Sequence, residues 1–347
     1  MSFCFNFDVP ISPVTKGNVD GNGMQNKKKG NAAKSTGDCV PQMGLVKPAK
    51  EHSPLPGPGF PLLDAVTETV TIGTLPPLHF VNETVFERTA AEREDEEKIL
   101  TRTAEQRSDL ISGVYEGGLK VWECTYDLLE LIEKEGETFT GKAVLDLGCG
   151  AGLLGIVALK RGARLVHFQD YNSTVIEQLT VSNVILNCGD EEEDDSDDEE
   201  RGKGGGKMKA KQDLKEDTPP PKKRSIDRTQ RPLLAKCRFF SGDWSTFLDL
   251  LIKEDPLPKF DIILTSETIY NTDYYPVLHK TLEKLLAPGG LVYLATKSHY
   301  FGVGGGLHLF ETFVEQEGIF SLDRLWDGEE GLQRHVVVLR FKITKGS

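Results

Sequence analysis

The chain has no long apolar run and few cysteines. Its 347 residues contain no stretch of about 18 consecutive apolar residues and no apolar segment typical of a secretory signal. The six cysteines stand far apart, at positions 4, 39, 124, 149, 188 and 237, and form no Cys-x-x-Cys pair. These absences argue against a membrane span, a disulfide framework and a metal site, so we expect an intracellular protein with no membrane partner and no metal.

Outside one acidic segment, the chain carries little net charge. The formal charge is −13, but residues 190–200 alone hold ten acids, so the rest of the chain carries only −3. The folded part is therefore close to neutral, the overall charge says little about its partners, and we expect no direct nucleic-acid site. With 38% hydrophobic residues, the chain can bury one sizeable core and still leave segments outside it.

Composition divides the chain into an arm and a domain. Residues 1–107 are expected to be a largely disordered arm, because the Gly/Asn/Lys-rich part at 17–37 and the Pro/Gly tract at 52–61 cannot bury a core. Two exceptions are residues 3–7, whose alternating pattern could add a strand to a sheet edge, and residues 66–86, which could form local structure. We expect the folded domain at 108–347, with a disordered acidic and basic insertion at 189–232.

Predicted strands and helices alternate through the domain. An amphipathic helix at 119–132 comes first. Strands follow at 143–147, 165–169, 236–240, 260–266 and 291–296, helices at 152–161, 173–187, 245–253, 274–286 and 307–317, and last come two strands at 319–325 and 335–343. Continuously apolar strands indicate an α/β fold with a parallel sheet covered on both faces. The two final strands indicate an antiparallel edge hairpin.

A glycine-rich turn follows the first strand of the domain. The run Val144–Gly155 places Asp146 two residues before Gly148, and Gly150 and Gly152 follow at alternate positions. Such glycines allow positive φ and a close backbone approach to a ligand, and the next helix presents free N–H groups. Asp170 ends the second strand about 20 residues later, where an acid can bind ribose hydroxyls. A nicotinamide-binding Rossmann domain is the alternative that this segment leaves open.

The pattern Asp-x-Gly-x-Gly-x-Gly resembles motif I of the seven-β-strand S-adenosylmethionine methyltransferases. That resemblance implies a Rossmann-like seven-strand fold and S-adenosylmethionine as the cofactor. Asp170 would bind the ribose, Asp243 would accept from the adenine amino group and Trp244 would pack against the ring. The predicted cofactor residues are Val121, Trp122, Glu123, Cys124, Thr125, Asp146, Gly148, Cys149, Gly150, Gly152, Gln169, Asp170, Tyr171, Asn172, Gly242, Asp243, Trp244 and Ser266.

Five further segments resemble a narrower family, the eukaryotic protein-histidine methyltransferases. They are residues 113–120, 168–172, 238–244, 266–271 and 299–306. The resemblance covers nearly all of 108–343 and implies a protein substrate, namely a histidine of a large-subunit ribosomal protein, with the tau nitrogen as acceptor. On the same resemblance, Trp122, Glu123 and Thr125 would line the methionine end of the cofactor.

Candidates for orienting the target follow the fourth and fifth strands. They are Glu267, Tyr270 and Asn271 after one strand, and His299 and Tyr300 after the other. We place Tyr270 and Asn271 at the rim of a methyl-transfer channel with His299 nearby, as the catalytic residues. The structural alternatives are a packing role for Tyr270 and a helix cap for Asn271. An imidazole can attack while neutral, so a strong general base is not required.

Two charged segments lie in the predicted insertion. The acidic run 190–200 could recruit a basic partner or simply keep the insertion extended. The basic segment 203–224 resembles a bipartite nuclear import signal, so we expect the protein in cytoplasm and nucleus. A lysine acceptor on the same fold, a non-catalytic cofactor-binding scaffold and a dehydrogenase remain the alternatives.

Overall fold

The computed structural model describes residues 46–53, 66–89, 97–106, 109–188, 231–328 and 333–343. Its strands are β1 (Lys50–His52), β2 (Thr67–Val70), β3 (Leu78–Val81), β4 (Ala143–Leu147), β5 (Leu165–Asp170), β6 (Cys237–Ser241), β7 (Phe260–Ser266), β8 (Leu286–Lys297), β9 (Phe320–Asp327) and β10 (Arg334–Phe341). The predicted α/β fold is confirmed: β6, β5, β4, β7 and β8 pair in parallel, and β9 and β10 form the antiparallel hairpin at the edge.

The central sheet runs in the order β1-β6-β5-β4-β7-β8-β10-β9. From β4 the chain first adds β5 and β6 on one side, and it then returns to add β7 and β8 on the other. The direction of addition therefore reverses next to β4, which is where a doubly wound sheet opens a crevice for a ligand. Strand β8 (Leu286–Lys297) is longer than the predicted strand 291–296 and includes the five residues that precede it.

Helices cover both faces of this sheet. They are α1 (Thr84–Thr89), α2 (Ile99–Gln106), α3 (Glu123–Glu135), α4 (Leu153–Lys160), α5 (Val181–Asn187), α6 (Arg231–Leu234), α7 (Trp244–Ile252), α8 (Tyr275–Leu285) and α9 (Leu307–Glu317). A π-helix at Val175–Thr180 directly precedes α5, and a 3₁₀ turn at Thr272–Tyr274 directly precedes α8. One core packs α3, α4 and α5 on one face, and a second packs α7, α8 and α9 on the other. Burial on both faces explains why the parallel strands are apolar throughout.

Segments of the predicted N-terminal arm are ordered and pack on the domain. Strand β1 adds antiparallel to β6 as an eighth strand, and β2 and β3 form a hairpin. The hairpin is anchored by Asn183 and Asn187, whose side-chain carbonyls accept from the backbone of Val81 and His79. Sequence reasoning placed the start of the domain near Ser108, because β1 (Lys-Glu-His) depends on ladder hydrogen bonds and carries no hydrophobic pattern.

Several predictions lie outside the described residues. They concern the strand at 3–7, the acidic run 190–200 and the import signal 203–224. Within the described ranges, the four cysteines are free, no group of His, Cys, Asp and Glu could hold a metal ion, and no helix has the length and apolarity to cross a membrane.

Candidate active site

A cavity of about 350 Å³ lies beyond the carboxyl ends of the parallel strands, at the reversal next to β4. Neighbouring strands are about 4.8 Å apart, so the ends of β6, β5, β4 and β7 contribute to it in that spatial order. We call the part formed by Gly242, Asp243 and Trp244 the β6 end. The part formed by Ser266 and Glu267 is the β7 end.

Most of the predicted ligand residues meet at this cavity. Those that line it are Val121, Trp122, Thr125, Gly148, Cys149, Gly150, Asp170, Tyr171, Gly242, Asp243, Trp244, Ser266 and Tyr270. They come from four strand ends and from the start of α3 with the residues just before it, which are distant in sequence. The fold therefore brings together what the motifs place on separate elements.

Asp170 lies between the two ends of the cavity and is buried. Its Oδ2 accepts a hydrogen bond from the backbone N–H of Gly150 at 3.0 Å, and its Oδ1 accepts from the N–H of Asn172 at 3.1 Å. Burial raises the pKa of Asp170 to about 6, although these two bonds and the Lys47 ammonium oppose the rise. A carboxylate held in this way keeps further lone pairs for a ligand, and it is suited to accept from a ribose diol.

The wall opposite Asp170 requires glycine. A Cβ atom at Gly118 would lie 2.9 Å from Oδ2 of Asp170, and one at Gly150 would lie 3.0 Å from the carbonyl oxygen of Gly118. Gly150 also has a φ of 49°, a conformation that side chains rarely adopt. A side chain at either position would push the 117–118 backbone away from the carboxylate and change the width of the cavity.

An aromatic wall and a helix cap form the β6 end. The indole N–H of Trp244 donates to Oε1 of Gln169 at 2.9 Å, and the Gln169 amide donates to the carbonyl of Gly242 at 2.9 Å. Asp243 caps α7, because its Oδ1 accepts from the N–H of Ser245 at 2.7 Å. The predicted adenine contact of Asp243 thus concerns a carboxylate already engaged as a helix cap.

Residues 46–53, the N-terminal strap, lie across the β6 end. The carbonyl of Lys47 accepts from the N–H of Asp243 at 3.1 Å and from Oγ1 of Thr246 at 2.7 Å. The Lys47 ammonium lies 4.6 Å from the Tyr171 ring centroid and pairs with Glu97. Val46 and Lys47 line the cavity. The strap is therefore part of the site, although it belongs to the segment predicted as an arm.

Buried charges form the β7 end. The Glu267 side chain is 6% exposed, and neither of its oxygens accepts a hydrogen bond from the residues that the structure describes. Its φ is 58°, which costs a residue with a side chain about 1–2 kcal/mol. The Lys297 ammonium lies 3.3 Å from Oε1 of Glu267 and 3.2 Å from Oε2 of Glu123. Strain and incomplete hydrogen bonding in one buried side chain are typical of a functional position.

Glu116 organises the tyrosines beside this end. Its Oε1 accepts from the N–H of Gly113 at 2.6 Å and from the Tyr274 hydroxyl at 3.1 Å, and its Oε2 accepts from the Tyr270 hydroxyl. Burial raises the pKa of Glu116, and the three hydrogen bonds oppose that rise. Tyr270 thus lines the cavity as predicted, with its hydroxyl directed to Glu116.

Other predicted site residues do not reach the cavity wall. They are Glu123, Cys124, Asp146, Gly152, Gln169, Asn172, Asn271 and His299. Asp146 joins β4 to α4, because its Oδ2 accepts from the N–H of Gly155 at 2.8 Å, and burial raises its pKa to about 8. Asn271 caps the 3₁₀ turn by accepting from the N–H of Asp273 at 3.0 Å. His299 is exposed and packs edge-to-face on Phe301, at a centroid distance of 5.0 Å.

Sequence reasoning did not include several residues of the wall among the site residues. They are Val46, Lys47, Glu116, Gly117, Gly118, Lys120, Thr268 and Tyr274, together with Glu267, which was named only as a candidate for orienting the target. Glu116, Gly117 and Gly118 stand inside the segment 113–120, so its glycine pair and acid are signals that could have found them. Lys47 lies in a polar stretch with no motif, and its role arises only from tertiary contacts.

The cavity fits S-adenosylmethionine. The ligand carries an aromatic base, ribose hydroxyls and a methionine part, and the cavity presents Trp244 at the β6 end, Asp170 between the two ends, and Trp122 and Thr125 at the β7 end, in the same order. The Glu267 carboxylate is paired with the Lys297 ammonium, and its remaining lone pairs are available to an N–H-bearing group.

Comparison with known proteins agrees with this arrangement. A family described as a methyltransferase domain matches residues 123–325. The chain is 45% identical over 315 residues to the histidine protein methyltransferase 1 homolog of Bos taurus, which covers 90% of this chain and 78% of that protein. The Mus musculus homolog is 44% identical over 297 residues, covering 85% of this chain and 75% of that protein.

A more distant relative has the same name. The histidine protein methyltransferase 1 homolog of Dictyostelium discoideum is 37% identical over 251 residues, covering 72% of this chain and 64% of that protein. Fold, cavity and these similarities agree, and the chain belongs to the family of histidine protein methyltransferase 1 homologs.

Proposed function

We propose that this chain transfers a methyl group from S-adenosylmethionine to the tau nitrogen of a histidine in a protein, and that this protein belongs to the large ribosomal subunit. Membership of the methyltransferase family supports the reaction class and the cofactor. The names of the relatives support histidine as the acceptor. The ribosomal target follows from the family resemblance of the sequence and is tested below.

Glu267 is the observation that carries the proposal. Its buried carboxylate is paired with the Lys297 ammonium at 3.3 Å and keeps further lone pairs, which favour a ligand that brings an N–H group. A neutral imidazole has one N–H and one lone pair. When the N–H donates to Glu267, the ring is fixed in one tautomer and the other nitrogen keeps its lone pair for attack. Glu267 thereby orients the acceptor and later stabilises the positive ring.

The same carboxylate favours histidine over lysine. An amino group next to Glu267 would be held as ammonium, because a nearby negative charge favours the charged form. A lysine would then have to lose a proton against that ion pair before it could attack. The same carboxylate also favours the imidazolium form, but the unperturbed pKa of imidazole, about 6.5, starts about four units below that of lysine, about 10.4, so an imidazole gives up this proton far more readily near pH 7. Of the two ring nitrogens, tau lies farther from the peptide backbone and reaches deeper into a cavity.

Other residues hold the cofactor and exclude water. Asp170 would accept from the ribose hydroxyls, Trp244 would pack on the adenine, and Trp122 and Thr125 would surround the methionine part at the β7 end. When bound, S-adenosylmethionine supplies a methyl group that its sulfonium already activates. The work of the protein is then alignment, which brings the lone pair behind that carbon and removes solvent.

The charged segments extend the proposal to partners and location. We infer that the acidic run 190–200 recruits a basic protein such as an unassembled ribosomal protein, because ten acids in eleven residues attract positive charge over a Debye length of about 8 Å. The basic segment 203–224 supports entry into the nucleus in addition to the cytoplasm.

Amino-acid analysis of a labelled target tests the function. The protein is incubated with radiolabelled S-adenosylmethionine and a methyltransferase-depleted cell extract, and the labelled band is hydrolysed and separated from standards of both methylhistidines and methyllysine. We expect tau-methylhistidine in one protein of the large ribosomal subunit. The control is Glu267→Gln, which should bind the cofactor normally and give little label.

Other outcomes contradict specific parts of the proposal. Label in pi-methylhistidine would refute the choice of nitrogen, and label in a non-ribosomal protein would refute the target. Methyllysine would refute the acceptor and keep the fold and cofactor. An absence of label despite measurable cofactor binding would favour the non-catalytic scaffold.

A further inference from the structure

Lys297 lies at the end of β8, directly behind the β7 end of the cavity, and is almost completely buried. Its side chain is 5% exposed, and its ammonium contacts carboxylates on two other elements. Those carboxylates are Glu123 at the start of α3 and Glu267 after β7, at 3.2 Å and 3.3 Å. A buried ammonium is costly without such partners. Its position therefore depends on negative charge at this end of the cavity.

Aromatic rings complete the surroundings of the ammonium. The Trp122 ring centroid lies 5.2 Å from Nζ of Lys297, and the Tyr300 ring centroid lies 5.9 Å away. Both distances are within the range of cation–π attraction. Trp122 also lines the cavity, so Lys297 contacts the ring of a residue that forms the cavity wall. Lys297 itself does not reach the wall, and it acts only through its neighbours.

The other charged and titratable groups nearby come from three elements. On α3, Cys124 and Asp127 flank the cluster, and Arg334 of β10 lies opposite Lys297 in the sheet. Arg334 donates to both oxygens of Asp127, at 2.6 Å and 3.1 Å. Burial and then the Glu267 carboxylate raise the pKa of both the Cys124 thiol and the Tyr300 hydroxyl, so both remain protonated.

The balance of these charges leaves one negative charge in the cluster. Glu123, Asp127 and Glu267 supply three negative charges, and Lys297 and Arg334 supply two positive charges. Arg334 is engaged with Asp127, so Lys297 serves the two glutamates. Without Lys297, two carboxylates would share a site of low dielectric, and one of them would be driven to bind a proton. Glu267 would then lose its role as an acceptor whenever it carried that proton.

We propose that Lys297 is a positioning residue that keeps Glu267 ionised and directed into the cavity, with Glu123 as the second carboxylate that holds the ammonium. The inference rests on the proposed function, in which Glu267 accepts the N–H of the target imidazole. Lys297 does not touch the acceptor. It sets the charge and the position of the residue that does.

Three variants test the inference, all as full-length protein. Lys297→Met removes the charge and keeps most of the side-chain volume, Lys297→Arg keeps the charge, and Glu123→Gln/Lys297→Met removes one positive and one negative charge together. Lys284→Met, at a more exposed site on α8, is the matched control. Turnover is measured from pH 5.5 to 9.5 with a histidine peptide taken from the labelled target, and cofactor affinity is measured by calorimetry.

We expect Lys297→Met to lower turnover about 100-fold at pH 7 and to recover within about threefold of the wild type at pH 9, with cofactor affinity changed less than threefold. The double variant should restore turnover at pH 7 to within about fivefold, and Lys297→Arg should retain at least about a tenth of it. A loss that is equal at all pH values, or a double variant no better than Lys297→Met, would overturn the inference.

A second readout separates this inference from the proposed function. The melting temperature of Lys297→Met should rise as the pH falls from 9 to 6, because protonation of one carboxylate removes the repulsion between Glu123 and Glu267, whereas the wild type and the double variant, which lack this uncompensated pair, should show a much smaller rise. A flat melting profile for Lys297→Met would overturn the role of Lys297 whatever the acceptor is. If the wild type labels no histidine but the variant shows this pH dependence, the proposed function is refuted, whereas the electrostatic role of Lys297 toward Glu267 is supported.

Discussion

The two ends of the cavity differ in how far their polar groups are already paired within the protein. At the β6 end and at Asp170, nearly every polar group already has a partner in the protein: Asp243 caps a helix, Gln169 holds Trp244, and two backbone N–H groups bind Asp170. At the β7 end, Glu267 is buried and strained, and the ammonium of Lys297 offsets its charge without occupying all of its lone pairs. A fully paired wall binds a ligand with little rearrangement, whereas a carboxylate with free lone pairs can accept from a group that arrives with the substrate.

Because of this difference, we expect substitutions at the two ends to act separately on cofactor binding and on turnover. Changes at the β6 end and at Asp170 should weaken the cofactor and leave the rate at saturation nearly intact. Changes at the β7 end should lower the rate and leave cofactor affinity nearly intact.

Asp170→Asn should weaken cofactor binding about 100-fold, because hydrogen bonds to a charged group contribute about 1.5–3 kcal/mol and the amide replaces one acceptor oxygen by a donor. Turnover at saturating cofactor should change less than about threefold. Calorimetric titration gives the affinity, and initial rates at high cofactor give the turnover. A 100-fold loss of turnover with normal affinity would assign Asp170 to the reaction and refute the separation.

The pH dependence of binding should follow the same carboxylate. Burial raises the pKa of Asp170 to about 6, so below pH 6 the protonated form dominates and loses an acceptor for the ribose. Cofactor affinity should therefore fall about tenfold per pH unit below 6, the slope of a single proton, and stay constant above about 7. Asp170→Asn is the control and should show no such slope. A slope that persists in the variant would point to another group.

Gly242→Ala should displace the N-terminal strap and weaken cofactor binding about tenfold. A Cβ atom at this position would lie 2.6 Å from Cα of Ala49, and the φ of 118° adds strain of about 1 kcal/mol. Gly141→Ala is the matched control, because it also has a positive φ (73°) but its Cβ would meet no atom within 4 Å. Equal affinities in the two variants would show that the strap does not contribute to binding.

Asn271→Ala should have the smallest effect. Its side chain caps the 3₁₀ turn before α8, so its loss should lower the free energy of unfolding by about 1 kcal/mol. Turnover and cofactor affinity should remain within about twofold, since the residue does not reach the cavity wall. Urea unfolding and steady-state rates test this directly. A tenfold drop in turnover would instead support the catalytic role that the sequence suggests.

The residues that sequence reasoning predicted are those whose role is local. Asp170 and the glycine turn lie at the ends of apolar strands, and that position can be recognised from the chain itself. Lys297 cannot be recognised in this way, because a lysine at the end of an apolar strand looks like an ordinary exposed terminus. Its burial results from Glu123 on α3 and Glu267 after β7, which only the fold brings together.

Two of the predicted site residues cap helical turns. Asn271 and Asp243 follow strand ends and carry polar side chains, and the same two features describe a helix cap and a ligand contact. Both residues precede helical turns, and in each case the backbone N–H two residues ahead donates to the side-chain oxygen. The strap escaped prediction for the opposite reason, since it lacks both a motif and an apolar pattern and is held by backbone hydrogen bonds.

The most direct test of the central claim is Glu267→Gln, measured for cofactor affinity and for single-turnover methyl transfer to the target histidine. The amide keeps the size of the side chain and removes the charge. The account predicts a transfer rate lower by about 1,000-fold, with cofactor affinity changed less than threefold and tau-methylhistidine as the residual product. Wild-type transfer in this variant, or a loss of cofactor affinity that accounts for the slower reaction, would contradict the account.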